Sequence, residues 1–112
     1  MMETLRALAE PHRFHIVELL RERPRPVGEM VDRLGLRQPQ VSKHLRVLTQ
    51  AGLVEARVDA QRRVYELRAA PLRELDVWLQ RYRRIWEGNF ERLDSVLEEL
   101  KAREKRRGRK SR

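Results

Sequence analysis

Residues 38–50, QPQVSKHLRVLTQ, decide the reading of this chain. Pro39 suits the first turn of a helix, where a missing N–H costs nothing, and Gly52 suits its end. Val41, Leu45 and Leu48 follow at steps of four and three, which is one stripe of an amphipathic helix. At about 100° per residue, Pro39, Lys43, Arg46 and Gln50 lie opposite that stripe, with Gln40, Ser42 and Val47 on its flanks. No acidic residue occurs from Arg33 to Val54, although Asp32 stands just before and Glu55 just after. A solvated surface helix ordinarily mixes signs. A face that is polar and basic only therefore predicts an anionic partner.

The flanking sequence supplies the frame for this helix. Upstream, Val27 to Leu34 reads as a short helix with Met30, Val31 and Leu34 on one side, and Gly35 sits where a left-handed cap would stop it. Pro11 opens an earlier helix whose apolar face is Phe14, Ile16, Val17, Leu19 and Leu20. Leu5, Leu8 and Ala9 suggest a short first helix ended by Glu10-Pro11, and Arg21 to Pro26 is a connector. Downstream, Leu53 to Val58 and Arg63 to Leu67 read as two strands joined by Asp59-Ala60-Gln61-Arg62, a hairpin with a basic tip and no glycine. Pro71 opens a long last helix. There Leu72, Leu75, Leu79, Tyr82, Trp86, Leu93, Val96 and Leu100 alternate steps of three and four, with Asn89 filling one step either as a register-setting polar residue or as a partly exposed one. Trp78, Ile85, Phe90 and Leu97 widen the seam beyond what one helix hides alone, which predicts a second copy as its cover.

The expected fold is mainly α with a small β-hairpin, in the order α-α-α-α-β-β-α. Two short helices, a tight turn and a basic hairpin make a winged helix-turn-helix, here dimerising through its C-terminal helix. Residues 1–100 are expected to form the domain and residues 101–112 a basic, disordered tail.

Composition narrows the function. The 112 residues suit one domain with a modest core. The net charge of +9 is unevenly placed: residues 33–68 and 101–112 are strongly basic, whereas 1–32 and 69–100 are slightly acidic. The absence of cysteine excludes disulfides and thiolate metal sites. No apolar run reaches bilayer length and no signal peptide is evident, so a cytoplasmic location is expected. His12 and His15 lie one turn apart, but two ligands fall short of a zinc site, and no cofactor is called for. Ser42 and His44 are two apart on a helix and do not face one another; no glycine-rich phosphate loop occurs, so an enzyme is not expected.

Three segments carry a family resemblance. Leu8-Ala9-Glu10-Pro11-His12-Arg13 with Ile16-Val17-Glu18-Leu19-Leu20 resembles the opening of the ArsR family of repressors. Gln38 to Leu48 resembles its recognition helix, and Ala51-Gly52-Leu53-Val54 with Arg63 to Leu67 resembles its wing. The last helix is similar to a branch without metal-sensing ligands. The resemblance implies a dimeric repressor on double-stranded DNA, with Gln38, Gln40, Ser42, Lys43, His44 and Arg46 at the groove and Gln61, Arg62 and Arg63 on the wing. It implies an interface built from the first and last helices, here Leu5, Leu8, Leu72, Leu75, Leu79, Tyr82, Trp86, Phe90 and Leu93. Arg37 stands where the family often has an N-capping serine, which either weakens the cap or adds a phosphate contact. Ala60 replaces the hairpin glycine. Gly88 interrupts the last helix at about 1 kcal/mol relative to alanine. Trp78, Tyr82, Trp86 and Phe90 also admit an apolar effector pocket between subunits, although interface core is favoured. The rival readings are a protein-interaction adaptor and a non-specific nucleoid binder.

Overall fold

The computed structural model describes residues 1–110, with side chains throughout except at 89–91 and 109–110. It forms two compact units, Met1–Asp76 and a second that starts at Val77. The first contains α1 (Met2–Leu8), α2 (Pro11–Glu22), β1 (Arg25–Pro26), α3 (Val27–Leu34), α4 (Gln38–Gln50), β2 (Val54–Asp59) and β3 (Arg62–Leu67). Helix α5 (Ala69–Gln80) crosses the boundary, and α6 (Arg83–Lys110) belongs to the second unit.

The core of the first unit is built from Ile16 and Leu20 of α2, Met30 of α3, the Val41–Leu45–Leu48 stripe of α4, Leu53, Val54 and Tyr65. Phe14, expected on the buried face of α2, is 53% exposed. It lies off the Ile16–Leu20 centre of that face, where the core has no second layer to cover it. Leu8 and Leu72, assigned from sequence to an interface, pack against this core.

Helix α4 ends in a Schellman motif. Gly52 takes a left-handed φ of 77°, its N–H bonds to the Thr49 carbonyl at 3.0 Å, and the Leu53 N–H bonds to the Leu48 carbonyl at 3.0 Å. Leu48 and Leu53 are both fully buried, so the apolar contact that usually accompanies the motif is present. Gly35 closes α3 with φ 66° and an N–H bond to Val31.

The sheet has three antiparallel strands in the order β1-β3-β2, one more than the expected hairpin. Strand β1 pairs Arg25 with Tyr65 and Pro26 with Val64. Two residues carry no periodicity, so this strand exists through tertiary pairing alone. Arg25 explains it: the side chain is almost fully buried and donates from Nε to the Leu19 carbonyl at 2.9 Å and from its terminal nitrogens to Glu22 and Glu29. One guanidinium thus ties α2, β1 and α3 together. The hairpin between β2 and β3 turns through Ala60 at φ 59°, the left-handed conformation that glycine normally supplies.

Two expectations for the C-terminal half are corrected. The single helix expected from Pro71 to Leu100 is two helices, separated at Arg81–Tyr82, where Tyr82 N–H bonds back to Leu79 and Ile85 N–H to Tyr82. No proline or glycine marks the break, but Arg81, Arg83 and Arg84 crowd three like charges into one turn. The stretch from Lys101, expected to be disordered, continues α6 as a helix to Lys110. Lys, Arg, Glu and Ala are good helix formers, and Glu98–Lys101, Glu99–Arg103 and Glu104–Arg107 fall at the three- and four-residue spacings that support one another. The side chains of Asn89 and Phe90 lie outside the described residues.

Replacing Arg25 by alanine strips a donor from the Leu19 carbonyl and from two carboxylates. The expected loss is about 2–3 kcal/mol in denaturant unfolding, below the range for fully buried pairs because Glu22 and Glu29 still reach water. A loss within error of zero would show that the guanidinium holds nothing.

Candidate nucleic-acid interface

Helix α4 presents three longitudinal strips. The buried stripe fixes it to the core, which leaves Pro39, Lys43, Arg46 and Gln50 exposed on the opposite ridge. One flank carries Gln38 and Ser42. These two residues line a cleft of about 650 Å³ together with Arg62 and Arg63 of β3 and Glu29 and Asp32 of α3. Recognition-type side chains and wing arginines therefore open onto one space. Sequence reasoning missed the acidic wall. Glu29 is the shared acceptor of Arg23 and Arg25, which hold its carboxyl below the usual range despite the opposing effect of burial.

The other flank carries Gln40 and His44. His44, counted from sequence among the groove residues, is turned instead toward the start of α2, with only 18% of its side chain exposed. Its ring centroid lies 5.6 Å from that of His12, and Nδ1 is 3.7 Å from Oε2 of Glu10, buried and without a hydrogen bond. Burial pushes the His44 pKa down, with Arg13, His12 and Lys43 adding to the effect against the pull of Glu10. The Glu10 carboxylate caps α2 by accepting the Arg13 N–H at 2.8 Å. Burial opposes its ionisation, but this hydrogen bond and the neighbouring His44, His12 and Arg13 hold its pKa below the ordinary value. Arg13 in turn donates to the Ala7 and Arg6 carbonyls, closing the end of α1. His12, paired in sequence with His15 as possible ligands, thus meets His44 instead. Among the described residues no three metal-ligating side chains converge.

Arg37 is the N-cap of α4 and is exposed; its backbone N–H donates to Oε1 of Gln40 at 3.1 Å. Gln61, Arg62 and Arg63 are exposed at and after the hairpin tip. In the second unit Leu79, Tyr82 and Leu93 are about half exposed, while Trp86 is partly covered. Leu5 and Leu75 are partly covered in the first.

Two helices joined at a left-handed glycine, the second bared along its outer ridge and set beside a basic antiparallel wing, define a winged helix-turn-helix protein. The sequence profile of a family described as a helix-turn-helix domain matches residues 8–57. The HTH-type transcriptional repressor SmtB of Mycobacterium tuberculosis is 48% identical over 65 residues, covering 58% of this chain and 48% of SmtB. HlyU from Vibrio cholerae has a similar structure, with a TM-score of 0.62 and 34% identity over 71% of this chain and 87% of HlyU. So does the homodimeric winged helix-turn-helix DNA-binding domain of Mb0332 from Mycobacterium bovis, described as a possible ArsR-family transcriptional regulator. Its TM-score is 0.61, at 29% identity over 70% of this chain and 73% of that one. The matches to the first curated relatives span 65% and 48% of those proteins' length. This chain belongs to the ArsR family of winged helix-turn-helix transcriptional regulators.

The His44 environment has a pH consequence. A histidine with a lowered folded pKa stabilises the fold fully above its ordinary value of 6.5, and that contribution is lost as pH falls below 6.5 toward the folded value. Glu10 acts only at lower pH, below the ordinary carboxylate value of 4.5. Unfolding free energy should therefore drop between pH 7.5 and 5.5, and His44→Gln should flatten that drop. Equal slopes in both proteins would place the proton uptake elsewhere.

Proposed function

We propose that this protein is a transcriptional repressor that acts as a homodimer on a pseudo-palindromic operator. The observation that carries the reading is the bared, acid-free ridge of α4, with Lys43 and Arg46 exposed beside a cleft that Arg62 and Arg63 share. The ridge enters the major groove. Arg46 and Lys43 supply donors to guanine or phosphate, Ser42 adds a hydroxyl, and the wing arginines follow the adjacent backbone. Arg37 adds a further phosphate contact at the helix start, and Gln61 sits at the wing tip. A two-fold dimer places two recognition helices about 34–36 Å apart, one turn of the duplex. Regulation of transcription puts the protein with the chromosome, in the cytoplasm.

The second copy docks on the apolar side chains of the C-terminal unit. Leu79, Tyr82, Ile85, Leu93, Val96, Leu97 and Leu100 are each 42–63% exposed in the single chain, more apolar surface than an isolated helix pair tolerates in water. Mb0332, described as homodimeric, and SmtB, described as a repressor, support the same reading. The basic end of α6, with Lys101, Arg103, Lys105, Arg106 and Arg107, adds salt-dependent attraction without sequence information.

Two measurements test this. Arg46→Ala should weaken binding to a selected operator fragment by about 1–3 kcal/mol, and Lys43→Ala should reduce the salt slope by about 1. Unchanged affinity in both would remove α4 from the groove. Leu79→Glu combined with Trp86→Glu should give monomers in light scattering; a persisting dimer would move the interface off this seam.

A further inference from the structure

We infer that the two glutamines at the start of α4 have separate tasks: Gln38 reads an adenine in each half-site, and Gln40 holds the end of the helix in place. The inference rests on the groove assignment above and divides labour within it.

Two residues apart on a helix, Gln38 and Gln40 point about 200° from one another, so they occupy opposite flanks. Gln38 shares its flank with Ser42 and faces the cleft whose walls are Arg62 and Arg63 on one side and Glu29 and Asp32 on the other. Its side chain is exposed and makes no hydrogen bond among the described residues. Both its amide oxygen and its amide NH2 are available. Adenine in the major groove asks for that pair, an acceptor for N6–H and a donor for N7.

Gln40 is committed elsewhere. Its Oε1 accepts the backbone N–H of Arg37 at 3.1 Å, the N3-to-N-cap half of a capping box. The N-cap residue is an arginine, which has no side-chain acceptor for the N–H groups of the first turn, so the Arg37 N–H to Gln40 bond is the side-chain tie left at this end of the helix. An amide oxygen turned back to Arg37 does not present the acceptor–donor pair to a base edge. Gln40 is a positioning residue.

Binding-site selection followed by sequencing, with the full chain at one stated salt concentration, separates the two. The parent protein should return a motif with an A·T pair at one position of each half-site. Gln38→Ala should flatten the preference at that position by roughly 5- to 150-fold, the equivalent of one bidentate pair, and leave the melting temperature unchanged. Gln40→Ala should lower the melting temperature and weaken binding to every site by a similar factor, with the motif intact. Gln40→Glu keeps the acceptor and loses the NH2, and should melt like the parent with the same motif. A motif altered by Gln40→Ala or Gln40→Glu, or unaltered by Gln38→Ala, overturns the division. A melting temperature that ignores Gln40→Ala overturns the capping role. If the parent protein returns no motif at all, the operator reading fails and takes this inference with it.

Discussion

A single buried guanidinium couples the two halves of the interface. Arg25 reaches the Leu19 carbonyl near the end of α2, Glu22 on the same helix and Glu29 on α3, while its own backbone forms the two-residue strand that pairs with β3. Helices and sheet would otherwise meet only through apolar packing, which is non-directional and tolerates sliding. A planar fork with fixed donor directions does not. The relation between the helix-turn-helix and the wing arginines, on which any shared contact with a duplex depends, follows from the placement of this one side chain. Glu29 extends the consequence into the cleft, since the carboxylate that satisfies Arg25 also forms part of the wall opposite Arg62 and Arg63.

The same logic governs α4. An outward face is useful for recognition only if the helix neither frays nor rolls, and each degree of freedom has its own restraint. The buried Val41–Leu45–Leu48 stripe sets the rotation. The Schellman motif at Gly52 fixes the C-terminal end and delivers the chain straight into β2. The N-terminal end lacks a small polar cap, and the Gln40 side chain ties the first turn back to the Arg37 N–H instead. His44 then abuts the Glu10 cap of α2, so the start of α2 and the middle of α4 share one electrostatic neighbourhood. Burial, with the nearby cations Arg13 and Lys43, favours the neutral imidazole, so this flank of α4 carries a histidine without adding a fixed positive charge to the helix.

What was legible in the sequence was whatever had punctuation. Gly35, Pro39 and Gly52 bracket α3 and α4, and the expected bounds agree with the structure to within a residue or so. The basic ridge was legible because the absence of acids over a long stretch is a property of sequence alone. The flank residues were not. Whether His44 faces a groove or a neighbour depends on where the start of α2 lies, and no periodicity encodes that. Arg25 was hidden because a charged residue between two prolines reads as a solvated connector, although Glu22 three residues before and Glu29 four after are spaced to receive it. The break at Arg81–Tyr82 went unseen because a heptad count passes through it undisturbed. The helix beyond Leu100 was hidden for the opposite reason: it carries no apolar stripe to read, and a strongly charged helix needs none.

The C-terminal unit shows why that last distinction matters. A 28-residue helix rich in Glu, Lys and Arg has enough propensity and enough paired charges to be partly formed alone, yet helices in water are usually fixed by an apolar partner. Among the described residues of this unit the seam positions stay about half exposed. Burying a large apolar side chain completely is worth about 1.5–3 kcal/mol, so covering the exposed halves of four such residues on each of two copies gives about 6–12 kcal/mol, which offsets the cost of bringing two chains together at the low end of its range. In the proposed dimer the interface is thus the missing core of this unit, and its order is tied to association. Stability then depends on protein concentration by mass action, and the spacing of the two recognition helices is inherited from a core that exists only when two chains share it.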